Sequence, residues 1–132
     1  MKREYIKLAF APDGKRAIYV DKINKYEILN YIRFDERHKK KFQFFSNIFL
    51  EGHKNTKIYD KEDINHKCKD VTAIKFFKGQ ENDRIYCKEI KSNPNLYVSV
   101  MCILHLKKKS QHNSNREIIS IETVAEYEYE IK

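Results

Sequence analysis

Glycine and proline are scarce in this chain, three and two residues in 132, and tryptophan is absent. No Walker loop, dinucleotide glycine fingerprint or nucleophile elbow is present, and so little glycine sets aside the phosphate-cradling loops on which nucleotide-driven chemistry depends. The three cysteines, Cys68, Cys87 and Cys102, are too few and of the wrong parity for a disulfide framework, so they read as thiols of a reducing compartment. No apolar run approaches the roughly 18 residues of a membrane span. The opening Met1-Lys2-Arg3-Glu4-Tyr5 leads into no signal-type apolar stretch. A cytoplasmic protein without membrane contact is therefore expected. No Gly/Ser/Pro-rich linker divides the chain, which reads as one domain over residues 1–132. Zinc would have to be assembled from His53, His66, Cys68, Cys87, Cys102, His105 and His112, of which only His66 and Cys68 are close in sequence. Structural zinc sites announce themselves by paired short spacings, so neither metal nor cofactor is expected.

What the chain does contain is aromatic residues and positive charge. Eight Phe and nine Tyr within a 41% hydrophobic composition are enough for a core. The balance of 27 Lys+Arg against 19 Asp+Glu, a formal charge of +8, favours a polyanionic partner such as nucleic acid or a ribosome surface. The charge is also segregated. Leu104 to Arg116 carries four basic residues and no acid, and Glu117 to Lys132 carries five Glu and one Lys.

The periodicity predicts an N-terminal hairpin, Tyr5–Phe10 and Ala17–Val20 about the Pro12-Asp13-Gly14 turn. Apolar positions at helical spacing, Ile23, Tyr26, Leu29 or Ile28, and Ile32, predict a first helix over Lys22–Arg33. A second starts at the cap Asp35, carries Phe42, Phe45, Ile48 and Phe49, and stops at Gly52. The polar stretch His53–Asp70 reads as a loop with at most one helical turn near Lys61–Asn65. Three strands in an antiparallel meander are then expected, Val71–Phe77, Arg84–Ile90 and Leu96–Leu106. In the last, alternation puts Leu96, Val98, Val100, Cys102, Leu104 and Leu106 on a core face, and Tyr97, Ser99, Met101, Ile103 and His105 on a mixed one. Ser114-Asn115-Arg116-Glu117 has the capping-box pattern and predicts a C-terminal helix with Ile118, Ile121 and Ala125 inward.

If the meander strands pair in order, Lys75, Arg84 and His105 converge with Lys107, Lys108 and Lys109 in a phosphate-binding concavity. Cleaving RNA without a metal requires a base for the 2′-hydroxyl, cations for the developing phosphorane charge, and an acid for the leaving 5′-oxygen. Lys, Arg, His and Tyr can fill all three roles. The competing reading is a solvated strand edge, where lysine is common as protection against edge pairing.

Three strings resemble the RelE/HigB/ParE superfamily of bacterial toxins, in particular its phage-derived, HigB-like branch. They are Phe42–Gly52; Ala73-Ile74-Lys75-Phe76-Phe77 followed by Asn82-Asp83-Arg84-Ile85-Tyr86; and Ile103-Leu104-His105-Leu106-Lys107-Lys108 with Arg116-Glu117-Ile118. The likeness runs from about Asn30 to Tyr127, and its last element is the most characteristic. The resemblance implies an α+β fold in which a helical hairpin packs on a twisted antiparallel sheet of about four to five strands, with a C-terminal helix. It also implies the toxin of a type II toxin–antitoxin pair, a metal-independent endoribonuclease that cuts mRNA on the ribosome and is silenced by a cognate antitoxin. By position it implies catalytic roles for Lys75, Arg84, His105 and Lys108. Arg84 and Lys108 would stabilise charge, Lys75 would act as base or cation, and His105 or His112 would transfer a proton. Lys107, Lys109, His112 and Arg116 would bind substrate. Two departures stand out: the N-terminal hairpin adds a strand, and no tyrosine lies between Ser110 and Thr123, where some members carry a catalytic one. The alternative is a non-catalytic protein, either a gyrase-directed, ParE-like toxin or a nucleic-acid-binding accessory protein, because a fold alone does not fix a reaction.

Overall fold

In the computed structural model, residues 2–62, 64–77, 81–92, 94–106 and 114–132 are described. Six strands form one sheet: β1 (Tyr5–Phe10), β2 (Arg16–Asp21), β3 (Tyr59–Lys61), β4 (Val71–Phe76), β5 (Asp83–Ser92) and β6 (Leu96–His105). Their spatial order is β1-β2-β6-β5-β4-β3. Among the described residues there are also three α-helices, α1 (Lys25–Ile32), α2 (Glu36–Leu50) and α3 (Asn115–Glu126), and a 3-10 turn at His66–Cys68.

The expected sheet of about four to five antiparallel strands is corrected in two respects. It has six strands, and it is mixed, because β2 runs parallel to β6 from Arg16↔Tyr97 to Val20↔Met101. The extra strand, β3, comes from the polar stretch expected to be a loop. Three residues are too few to show a period, and they pair with β4 from Tyr59↔Ile74 to Lys61↔Thr72. After β2 the two helices carry the chain to β3 at the far edge of the sheet, and β4, β5 and β6 then work back antiparallel until β6 lies beside β2, in the same direction.

The expected hairpin-on-sheet arrangement is likewise replaced, because the sheet is covered on both faces. Ile28 and Ile32 of α1 and Phe45 and Phe49 of α2 join Ile18, Val20, Ile74, Phe76, Ile85 and Met101 in one core. Ile121 and Val124 of α3, with Tyr129 beyond it, join Ala17, Tyr19, Val71, Ala73, Tyr86, Val98, Val100 and Cys102 in the other. Central strands buried on both sides need apolar residues on both sides, which is why Met101 is as buried as Val100; the polar Ser99 on the Met101 face is equally buried and bonds to the Tyr59 hydroxyl. In α1 the inward stripe is Ile28 and Ile32. Ile23 and Tyr26, expected inside, are 73% and 71% exposed.

The helix ends follow local chemistry. The Asp35 carboxylate accepts from the His38 N–H at the start of α2. At its end Gly52 takes φ 77°, a left-handed conformation that glycine adopts without Cβ strain, and His53 N–H donates to Ile48 C=O at 3.0 Å. At α3 the capping box closes, Ser114 Oγ accepting from Glu117 N–H at 3.3 Å. Ser114→Ala should cost about 1 kcal/mol, the usual loss for a helix cap, read as a lower urea midpoint with unchanged slope. Among the described residues no helix is long and apolar enough to cross a membrane.

Candidate active site

The meander pairs Lys75 with Arg84 on β4 and β5, and Arg84 with His105 on β5 and β6. The three basic residues therefore form one cross-strand row. Neighbouring strands lie about 4.8 Å apart, so the row spans about 10 Å. It lies on the α3 face because of an irregularity in β6. Opposite the consecutive pair Tyr86 and Cys87 stand Ile103 and Met101, so Cys102 is the extra residue. Strict alternation would turn His105 away from Val100 and Cys102. The bulge brings it back to their face.

Its partner there is a residue to which the sequence assigned a cap and no role in the site. Glu117 Oε1 lies 3.4 Å from His105 Nε2, with side chains 4% and 11% exposed, and Glu117 Oε2 accepts from the Ser114 N–H. One carboxylate thus closes the N-terminus of α3 and orients the imidazole. Tyr86, on the same face of β5, has its ring centroid 6.2 Å from that of His105.

Arg84 is 6% exposed. Its Nη1 donates to Asp83 C=O at 3.2 Å. Its Nε, like the Tyr86 hydroxyl, has no hydrogen-bond partner among the described residues. Burial lowers the Arg84 guanidinium from its ordinary value, opposed by Tyr86, Glu62, Glu117 and Asp83. Burial also pushes the Tyr86 phenol above its ordinary value, with Glu62 and Glu117 adding to it and Arg84 opposing. Tyr86 is therefore a proton donor and not a base at neutral pH. Buried donors without acceptors are rare in folded proteins, and here two converge beside a histidine–carboxylate pair. Lys75 is held at the end of the row, its Nζ donating to Thr56 C=O at 3.0 Å and lying 3.9 Å from Asp60 Oδ2.

Of the expected site residues, Lys75, Arg84 and His105 are thus brought together. Arg116 is exposed on the first turn of α3. Lys107, Lys108, Lys109 and His112 lie outside the described residues, in the segment that joins β6 to α3. Tyr86 and Glu117 are the additions, and both stood inside strings already singled out. Among the described residues no group of three or more His, Cys, Asp or Glu is placed to hold a metal ion. No protein-family model, curated protein or solved structure matches this chain, so its likeness to the toxin superfamily rests on the quoted strings alone.

Proposed function

We propose that the protein is the toxin of a type II toxin–antitoxin pair and a metal-independent endoribonuclease acting on ribosome-bound mRNA. The observation that carries this reading is the Lys75–Arg84–His105 row, with Glu117 on the imidazole and Tyr86 beside it. In the proposed reaction His105 accepts the proton of the 2′-hydroxyl. The 2′-oxygen attacks phosphorus, the P–O5′ bond breaks, and the 5′-oxygen leaves as a hydroxyl with the proton of Tyr86, which the proton held on His105 then replaces, giving a 2′,3′-cyclic phosphate. Glu117 fixes the imidazole in place and balances the charge it gains. Arg84 and Lys75, with Lys108, offset the charge of the phosphorane, where positioned donors act most strongly. Tyr86, kept protonated by burial, supplies a hydrogen bond toward the leaving oxygen. Lys107, Lys109, His112 and Arg116 would hold the strand through its phosphates.

The test is induction followed by mapping of RNA 5′ ends. Rapid loss of mRNA with cuts at codon boundaries is expected. Intact mRNA with DNA-damage signalling would instead favour the gyrase-directed alternative.

Substituting Lys107, Lys108 and Lys109 together by alanine should abolish toxicity while leaving the melting temperature within a few degrees, because lysine is rarely part of a core and its charge commonly contributes little to stability. Full toxicity in a folded triple variant would remove this segment from the site.

The antitoxin, for a +8 protein, is expected to lay an acidic segment over the basic face. Its affinity should fall as salt rises and shortens the reach of charge below about 8 Å. A dissociation constant flat from low to high salt would count against charge neutralisation.

A further inference from the structure

A second site lies on the other face of the sheet and toward the other strand ends. The C-terminal end of α2 and the β5–β6 turn enclose an open cavity of about 860 Å³, within the range of small-molecule sites. Glu89 shares its face of β5 with Ile85 and Cys87, opposite to Arg84 and Tyr86. Five residues of strand separate it from Arg84, about 17 Å.

Three features make this a built site. First, Glu89 is fixed on both oxygens. Tyr59 OH donates to Oε2 at 2.8 Å and Tyr97 OH donates to Oε1. Tyr59 is itself held by Thr72 Oγ1, which donates to its oxygen at 2.7 Å. Each carboxylate oxygen keeps a second lone pair for a donor from a ligand. Second, Arg16 is held by its inner edge. Its Nε donates to Phe49 C=O at the end of α2, and its guanidinium carbon lies 4.4 Å from the Phe49 ring centre and 4.7 Å from that of Tyr97. That is the only hydrogen bond the Arg16 side chain makes among the described residues, so its outer nitrogens remain available to the cavity it lines. Third, Ile48 and Leu96 give the cavity one apolar wall beside polar residues that include His53, Asn55 and Asp60, and Lys91 stands at the rim with Nζ 5.9 Å from the Tyr97 ring centre.

A fixed acceptor and a fixed cation, set one tyrosine ring apart against an apolar wall, match a ligand with a donor at one end, a flat ring between, and an anion at the other. We propose that this cavity binds a nucleoside monophosphate unit. The base lies on the apolar wall, its exocyclic amine donates to Glu89, and its phosphate sits on Arg16 and Lys91. Recognition here uses a stacked arginine and a carboxylate, so the shortage of glycine loops is no obstacle. The proposal does not depend on RNA cleavage at the His105 row.

Calorimetric titration of the full chain with AMP, CMP, UMP, ribose 5-phosphate and a short single-stranded oligonucleotide tests it. Saturable binding of AMP and CMP is expected. UMP, which lacks an exocyclic amine, and ribose 5-phosphate should bind about tenfold more weakly or worse, the loss of one hydrogen bond to a charged group or of the stacked ring. Arg16→Ala and Lys91→Ala should each weaken AMP about tenfold, and Glu89→Gln should narrow the AMP-to-UMP difference. Lys91 is exposed, so its variant keeps the test valid if Arg16→Ala fails to fold. Binding of the oligonucleotide alone, weakened by Lys91→Ala, would assign the unit to a nucleic-acid chain; binding of free AMP would assign it to a soluble nucleotide. No saturable binding of any probe would overturn the proposal. So would binding indifferent to both cavity substitutions, or binding lost in His105→Ala, which would place the ligand on the opposite face.

Discussion

Replacing Asp21 by alanine is expected to destabilise the fold by about 3–5 kcal/mol, the cost of stranding the partner of a buried ion pair. Asp21 is fully buried at the end of β2. Its carboxylate takes Arg3 in a two-point contact, Nε to Oδ2 at 2.7 Å and Nη2 to Oδ1 at 3.1 Å. The Tyr129 hydroxyl donates to Oδ2 at 2.6 Å, and the backbone N–H groups of Ile23 and Asn24 donate to Oδ1. One side chain therefore ties the segment before β1 and the segment after α3 to the turn that starts α1. Its loss would leave Arg3 and Tyr129 without their acceptor.

The same cluster sets an acid dependence. Burial pushes the Asp21 carboxyl up, but the bonds from Arg3, Tyr129 and Asn24 together with the Arg3 charge hold it below its ordinary value. A carboxyl lowered by folding contributes its full stability above the unfolded value of about 3.9, and that contribution is lost as the pH falls through the folded value. Urea midpoints of Asp21→Asn should accordingly be lower than wild type at pH 7, and the gap should narrow in acid. A gap that stays constant below pH 4 would show that the carboxylate charge is not what holds the cluster.

How far the sequence could be read depended on the scale of each signal. The hairpin, the meander and the two capped helices are written in runs of four or more residues with local stops, and Asp35 and Ser114 cap where their spacing to His38 and Glu117 requires. What was not legible depends on tertiary choice. Tyr59–Lys61 becomes a strand only because β4 offers an edge, and β2 runs beside β6 only because the helices carry the chain to the far edge and the meander works back from there. The inward stripe of α1 was misplaced because Ile23 and Tyr26 fit helical spacing as well as Ile28 and Ile32 do, and only packing decides between them. The bulge at Cys102 is one added residue with no glycine to mark it, yet it determines the face on which His105 lies. Glu117 was visible as a cap, but its second oxygen reaches His105 only once α3 lies on β5 and β6. The cavity around Glu89 draws on residues from Arg16 to Tyr97, a separation at which no motif could have joined them.

His105→Ala is expected to lower the rate of RNA cleavage by about 10² to 10⁴, the range for loss of a positioned proton-transfer group. The histidine lies in a cross-strand row and is oriented from behind by Glu117, so the two residues should act as one unit. Glu117→Gln keeps the shape and removes the charge that balances the imidazolium. It should produce a smaller loss, and the double variant His105→Ala with Glu117→Gln should be no slower than His105→Ala alone, because residues that work through one another are not additive. Additive losses would mean that Glu117 acts independently, through the capping box. Arg84→Lys separates the two kinds of contribution in the row. It keeps the positive charge but gives up the planar fork of donors, including the unpartnered Nε. A large loss in Arg84→Lys would assign that donor to the phosphorane, whereas near wild-type cleavage would reduce Arg84 to a point charge. Full cleavage by His105→Ala would remove the imidazole from the chemistry and leave Lys75 and the lysines after β6 as the groups to test for the base.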